Sequence, residues 1–387
     1  MEKLLIRQGR VLLPHGWSEE TDVRVEAGLI DRVDKDLAAP AGREIDARGC
    51  MVVPGFVDLH IHGGFGRLCE TGDPEAILEL SRQLPQFGIT AFLPTVATLP
   101  RQRLQTVVEA IAMATGGEPG ARILGIHLEG PFLNRHCAGA QNRRWMRAPD
   151  LAEFDDLVAR SGGLIKMMTI APELPGAIPL IAVAVERGVV VALGHSEANE
   201  EEALLAIDAG ATHVTHLYNA MRPFHHREPG LVGVALTDPT VTVELIADGH
   251  HVRPRALDLA WRLRRGTDIV LVSDAVALGL PEGEHELLGT RCVVQNGAVR
   301  TANGGKLFGS CLALDGAVRN LCRWLPTVAP ERILEAASTT PNRVLRLDNT
   351  FGRIEAGYQA DLVVLDENYQ VAYTIVGGRV VYERAAP

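Results

Sequence analysis

Eight apolar, β-branched runs punctuate the chain, at 52–62, 88–98, 123–130, 165–172, 189–196, 211–219, 243–251 and 268–277. Most of the intervals between them carry helical patterns. PEAILELSRQLPQFG and RQRLQTVVEAIAMATGG place apolar residues three and four apart, and GAIPLIAVAVERG and NEEEALLAIDAG do the same and stop at glycine. Strand–helix alternation of this length predicts a parallel sheet. Eight units suit closure into a (β/α)8 TIM-like barrel. An open doubly wound sheet is the alternative, but it would concentrate chemistry at one switch point. Here polar clusters close at least five of the runs.

Those clusters are His60-Ile-His62, His127-Leu-Glu129, Gly194-His195-Ser196, Thr215-His216 and Ser273-Asp274. In a parallel barrel the strand C-termini converge on one face, where active sites are built. His60 and His62 are two residues apart on a strand and so share a face. An isolated pair of this kind reads as satisfied core histidines. With three further ligand-type clusters downstream it reads as a metal-binding pair. Glu129 ends an apolar run, where a carboxylate is costly unless paired or bound to a cation. Glu129, His195 and His216 make a three-ligand set with an open position, the pattern of a catalytic site for a divalent metal such as zinc or iron. His213 shares a face with Thr215 rather than His216 and reads as a supporting residue. Asp274 follows a fully apolar strand and is the candidate acid/base. Its bland alternative is a carboxylate that orients a metal histidine.

Two clusters read as substrate contacts. His216–Ala220 runs on into His225-His226-Arg227-Glu228, and Asp248-Gly249-His250-His251 ends the seventh run. Arg227 carries a planar fork of donors suited to phosphate, although a His-His-Arg tract alone also fits a solvated loop.

Residues 1–52 and 350–387 instead alternate short β runs with turns, as in LLIRQGRVLL and GRIEAGYQADLVVLD. They are expected to fold together as a small β-sandwich, leaving 53–349 for the barrel. A net charge of −10 without a basic stripe argues against nucleic acid and anionic membranes as partners. No run reaches the roughly 18 apolar residues of a membrane span. The N-terminal apolar stretch is broken by Arg7 and Arg10 and does not read as a signal peptide. The six cysteines show no CxxC spacing and read as reduced thiols of a cytoplasmic protein.

Taken together, PGFVDLHIHGG, HLEGPFLN, the GHS of 194–196, THLYNAM, REPGLVG, ADGHHV, LVSDA and the LFGS of 307–310 resemble the N-acetylglucosamine-6-phosphate deacetylase family of the amidohydrolase superfamily. The resemblance extends from about residue 50 through GRIEAGYQADLVVLD. HLEGPF with THLYNAM is far more specific than the metal ligands, which many amidohydrolases share. It implies a main metal at Glu129, His195 and His216, and a second supported by His60 and His62, hence one or two ions per subunit. It implies Asp274 as the acid/base. It also implies sugar-phosphate contacts from Ala140, Asn219, Ala220, Arg227, His251 and the Leu307-Phe308-Gly309 loop, with Arg227 reaching into a neighbouring subunit of a homodimer. Gln141 stands where some members carry a histidine that polarises the acetyl carbonyl. Glutamine donates a hydrogen bond but cannot be cationic, and a second metal could take over that polarisation. The reaction implied is deacetylation of N-acetylglucosamine 6-phosphate. The galacto epimer, a cyclic amide and a non-catalytic scaffold are the alternatives. A scaffold should have lost at least one of Glu129, His195, His216 or Asp274, and all four are present.

Overall fold

A computed structural model describes residues 3–38, 42–264, 266, 268–303 and 305–385. Eight parallel strands form the barrel: β1 (Phe56–Ile61), β2 (Ile89–Val96), β3 (Ile126–Glu129), β4 (Ile165–Ile170), β5 (Val190–Leu193), β6 (His213–Val214), β7 (Thr242–Leu245) and β8 (Ile269–Leu271). Each pairs with the next. Closure runs through the end of β1, where Ile61 bridges Ala275 and the Asp274 N–H donates to the His60 carbonyl at 2.8 Å. The barrel, not the open sheet, is therefore the architecture.

The helices start where local chemistry favours them. Asp73 caps Pro74–Gln83 by accepting from the Glu75 N–H, and Asn199 with Glu202 forms a capping box for Glu200–Asp208. Their apolar stripes, such as Leu80 and Val107, pack on outward strand residues such as Phe92 and Leu128. Leu59, Leu93, Met167, Ala192, Ile246 and Val272 fill the barrel interior. Above them lies a polar layer in which His127 Nε2 meets Thr169 Oγ1 at 2.8 Å and Thr169 meets Thr215 at 2.7 Å. Burial, helped by nearby His60, pushes His127 down to about 3, so it is neutral.

The chain ends fold together as expected. Leu362–Leu365 pairs antiparallel with Met51–Pro54, joining strands from both ends into one eight-stranded sheet. That sheet has its own core, including Ile6, Val23, Leu362 and Ile375. A third unit was not anticipated. Gly283–Leu287, Thr290–Gln295, Ala298–Thr301 and Leu307–Ser310 form a four-stranded antiparallel sheet within the stretch assigned to the barrel. Its hairpins turn through Leu288-Gly289 and Asn296-Gly297, with φ of 52° and 70°, and 52° and 76°, as two-residue turns with both central residues left-handed require. Leu307-Phe308-Gly309, expected as a loop, is the last of these strands.

Candidate active site

The strand ends deliver their side chains to one point through local irregularities. β1 and β2 slip register between Asp58 and Ile61. Val57 and Leu59 face the interior while Ile61 joins the outer layer, so the bulge turns His60 and His62 into the barrel mouth. His195, His216 and Asp274 have φ of 49°, 29° and 46°. Non-glycine residues held there store strain on the order of 1–3 kcal/mol each, and such outliers gather at functional sites. Gly309 makes room for one of them. A Cβ on it would lie 2.9 Å from the Asp274 carbonyl oxygen and 2.8 Å from Val276 Cγ1.

Glu129 is the hub. Its Oε1 lies 2.9 Å from His195 Nε2, 3.1 Å from His216 Nε2 and 3.5 Å from His60 Nε2. Its Oε2 lies 3.3 Å from His62 Nε2 and accepts from the Gln141 amide. Asp274 Oδ1 stands 3.7 Å and 3.5 Å from the Nε2 atoms of His60 and His62. Three groups of donors have ligand atoms within 4.8 Å of one another, Glu129/His195/His216, His60/His62/Asp274 and His60/His127/Glu244, and the first two supply the side chains that meet at Glu129 and Asp274.

The outer imidazole nitrogens decide what these groups can hold. His60 Nδ1 faces Glu244 Oε2 at 3.0 Å, His62 Nδ1 faces Glu70 Oε1 at 2.9 Å, and His195 Nδ1 faces the Cys137 carbonyl at 2.8 Å. Each partner is an acceptor, so each Nδ1 carries a proton and each Nε2 offers a lone pair to the centre. This is how metal-binding histidines are oriented. His60 Nε2 is buried with no hydrogen-bond partner. An orphaned buried nitrogen aimed at two carboxylates fits a bound cation.

Without an ion, protons take its place. Burial works to lower the His60 pKa, but Glu244 and Glu129 outweigh it and push it up to about 9. His62 is raised well above its ordinary value, with burial opposed by Glu129 and Glu70. Burial would raise Glu129, yet His195 and His60 hold it well below the usual carboxylate range. An ion binding at His60 must displace a proton below about pH 9. Affinity at the His60/His62 group should therefore climb from pH 6 towards 9, by up to about tenfold per unit for each proton displaced. Competition titration with a zinc-binding dye at several pH values measures this; a flat profile would contradict it.

The donors open into a cavity of about 630 Å³, within the range of small-molecule sites. Of the expected substrate contacts, Ala140, Gln141, Asn219, Ala220, His251, Leu307, Phe308 and Gly309 line it. Gln141 is held at both ends, its Oε1 accepting from the Thr98 N–H at 2.8 Å while its nitrogen donates to Glu129. Asp248 does not line the cavity. Its carboxylate accepts from the N–H groups of His250 and His251 at 2.8 Å and from His251 Nδ1 at 2.6 Å, so it orients His251. Burial works against a charged His251, but Asp248 prevails and raises its pKa. Arg227 lies outside the cavity as well, exposed, with Nη1 3.0 Å from His226 Nε2. The carboxylates Glu70 and Glu244 were missed. For Glu244 a signal existed, since VELIADG sets it inside an apolar run as surely as ILGIHLEG sets Glu129.

The fold and donor set define an amidohydrolase. The amidohydrolase family model matches residues 51–381, and the chain belongs to that family. Within it the chain is similar to sugar-phosphate deacetylases. It is 36% identical to the N-acetylgalactosamine-6-phosphate deacetylase of Escherichia coli O157:H7, over 97% of this chain and 98% of that protein. It is 35% identical to the N-acetylglucosamine-6-phosphate deacetylase of Vibrio furnissii, over 98% and 95%. Among solved structures, a mutant N-acetyl-D-glucosamine-6-phosphate deacetylase from Mycobacterium smegmatis in complex with N-acetyl-D-glucosamine-6-phosphate superposes with a TM-score of 0.92. It is 30% identical and covers 98% of this chain and 100% of that one. The chain is thus a hydrolase acting on an amide with a divalent-metal cofactor. No helix among the described residues is long and apolar enough to cross a membrane.

Proposed function

We propose that the chain deacetylates N-acetylglucosamine 6-phosphate, releasing acetate and glucosamine 6-phosphate. The observation that carries this is one cavity joining Asp274 and both donor groups to His251, whose raised pKa favours a cation beside an anionic substrate. The E. coli relative, equally similar, favours the galacto epimer as the second reading. Glu129, His195 and His216 are assigned the main ion, and His60 and His62 the second, with zinc or iron as the metal. A divalent ion there supplies Lewis-acid polarisation of the amide and favours deprotonation of water. Asp274 takes the proton of the attacking water and delivers it to the departing nitrogen. Asn219, His251 and the Leu307–Gly309 strand hold the sugar phosphate. Gln141 steers Glu129. The protein works as a cytoplasmic homodimer in which Arg227 serves the neighbouring site. Residues 53–349 form the catalytic barrel, and 1–52 with 350–387 the end domain.

Acetate release from the 6-phosphates of N-acetylglucosamine and N-acetylgalactosamine, and from the two free sugars, tests the reading. The gluco 6-phosphate should be the best substrate and the free sugars poor ones. A free sugar turned over as well as its phosphate would overturn it. Replacing His60 and His62 together by asparagine should lower bound metal from about two ions to about one per chain, because only the Glu129 group keeps three ligands. Metal analysis of both proteins decides this. A wild type that never holds more than one ion would remove the second site.

A further inference from the structure

Glu244 is fully buried in β7, beneath the donor groups and outside the cavity lining. It accepts three hydrogen bonds: His60 Nδ1 at 3.0 Å and the His216 N–H at 3.0 Å on Oε2, and His213 Nε2 at 3.2 Å on Oε1. On its far side His213 Nδ1 lies 2.5 Å from Thr242 Oγ1, whose single proton goes either to that nitrogen or to the Thr212 carbonyl 3.2 Å away, according to the His213 tautomer. A continuous chain, His60–Glu244–His213–Thr242, thus runs from the donor groups down through the barrel wall.

Two features distinguish this from an ordinary buried ion pair. A carboxylate only accepts, so the His60 proton is fixed on Nδ1 and the lone pair on Nε2, the atom that faces Glu129 and Asp274 without a partner of its own. The same carboxylate oxygen also ties down the backbone of His216, one of the main donor group. One side chain therefore sets a ligand of each group.

We propose that Glu244, backed by His213, is the positioning residue of the metal centre: it fixes the tautomer and raises the donor strength of His60, and so governs how tightly the second ion is held. This rests on the reading above that His60 is a metal ligand. Glu244 touches neither substrate nor the reacting atoms. The carboxylate–imidazole pair acts through the ring, as such partners do for metal histidines, where their loss costs about 10–100-fold in affinity.

Glu244→Gln removes the charge but keeps one acceptor. His213 can reverse its tautomer to face the new amide, so this variant should fold. Glu244→Met fills similar space with no comparable acceptor. Zinc titration against a chromophoric competitor, with folding checked by circular dichroism, reads both ions in each protein. Expected is a loss of about tenfold in the weaker ion's affinity for Glu244→Gln, and about a hundredfold for Glu244→Met. The stronger ion should stay within about threefold in Glu244→Gln. Should Glu244→Met not fold, His213→Asn serves in its place, with a smaller loss at the weaker ion only. Two ions held unchanged in Glu244→Gln, or equal losses at both, would overturn the Glu244 inference alone. A wild type binding one ion would overturn it together with the two-ion reading, so the two failures are distinguishable.

Discussion

Asp274→Asn should lower kcat for acetate release by about a hundredfold or more with the ion of the Glu129/His195/His216 group still bound. Asp274 lines the cavity, and its carboxylate is less enclosed than that of Glu129. Its N–H is anchored on the His60 carbonyl at 2.8 Å and its own carbonyl accepts from Ser310 at 2.8 Å. Its left-handed backbone, with Gly309 packed against it, turns the carboxylate towards the Nε2 atoms of His60 and His62. Glu129, the other carboxylate at the centre, is surrounded by four imidazoles and an amide. Asparagine keeps the shape of aspartate and can hydrogen-bond, but it cannot take up and return a proton. Steady-state turnover with metal analysis on the same sample is the check. Near-wild-type kcat in a fully metallated variant would remove Asp274 from the acid/base role.

Arg227→Ala should reduce kcat/KM for the 6-phosphorylated sugar by roughly thirtyfold or more, as expected for loss of one partner of a desolvated charge pair. The free sugar should be affected little. Arg227 is exposed within its own chain and outside its own cavity, so an effect on phosphate would come from the proposed homodimer. The mutant should keep the dimer, since one side chain does not hold a large interface. Kinetics on both sugars with light scattering of both proteins tests each part. Equal losses on the two sugars would make Arg227 structural, and a monomeric wild type would exclude a shared site.

The barrel and the donor clusters at its rim were legible because their signals are local. An apolar run ending in His60-Ile-His62 or in His127-Leu-Glu129 carries both the strand and the candidate donor in a few residues. What could not be read was how each strand end bends. The bulge before Ile61 and the left-handed backbones of His195 and His216 answer to packing between strands, and nothing in their own residues demands them. The partners of the imidazoles were lost for the same reason. Glu70 reaches His62 from a single 3-10 turn beyond the strand, and the Cys137 carbonyl reaches His195 across 58 positions. The four-stranded insertion was overlooked although its turns were visible. LLGT and QNGA are hairpin signals flanked by alternating residues, but an expectation of eight strand–helix units absorbed them. Asp248 shows the limit of reading contacts from motifs. It lies in the expected segment, yet it is absent from the cavity lining and orients His251 instead.

On the proposed reading, this cavity cleaves an acetamide with the help of a divalent ion held by Glu129 and its histidines. Acetate release from N-acetylglucosamine 6-phosphate, followed on one preparation before chelation, after chelation and after returning zinc or ferrous iron, tests it most directly. Stripping should abolish release, and returning the ion should restore it. Undiminished release by fully stripped protein would contradict it.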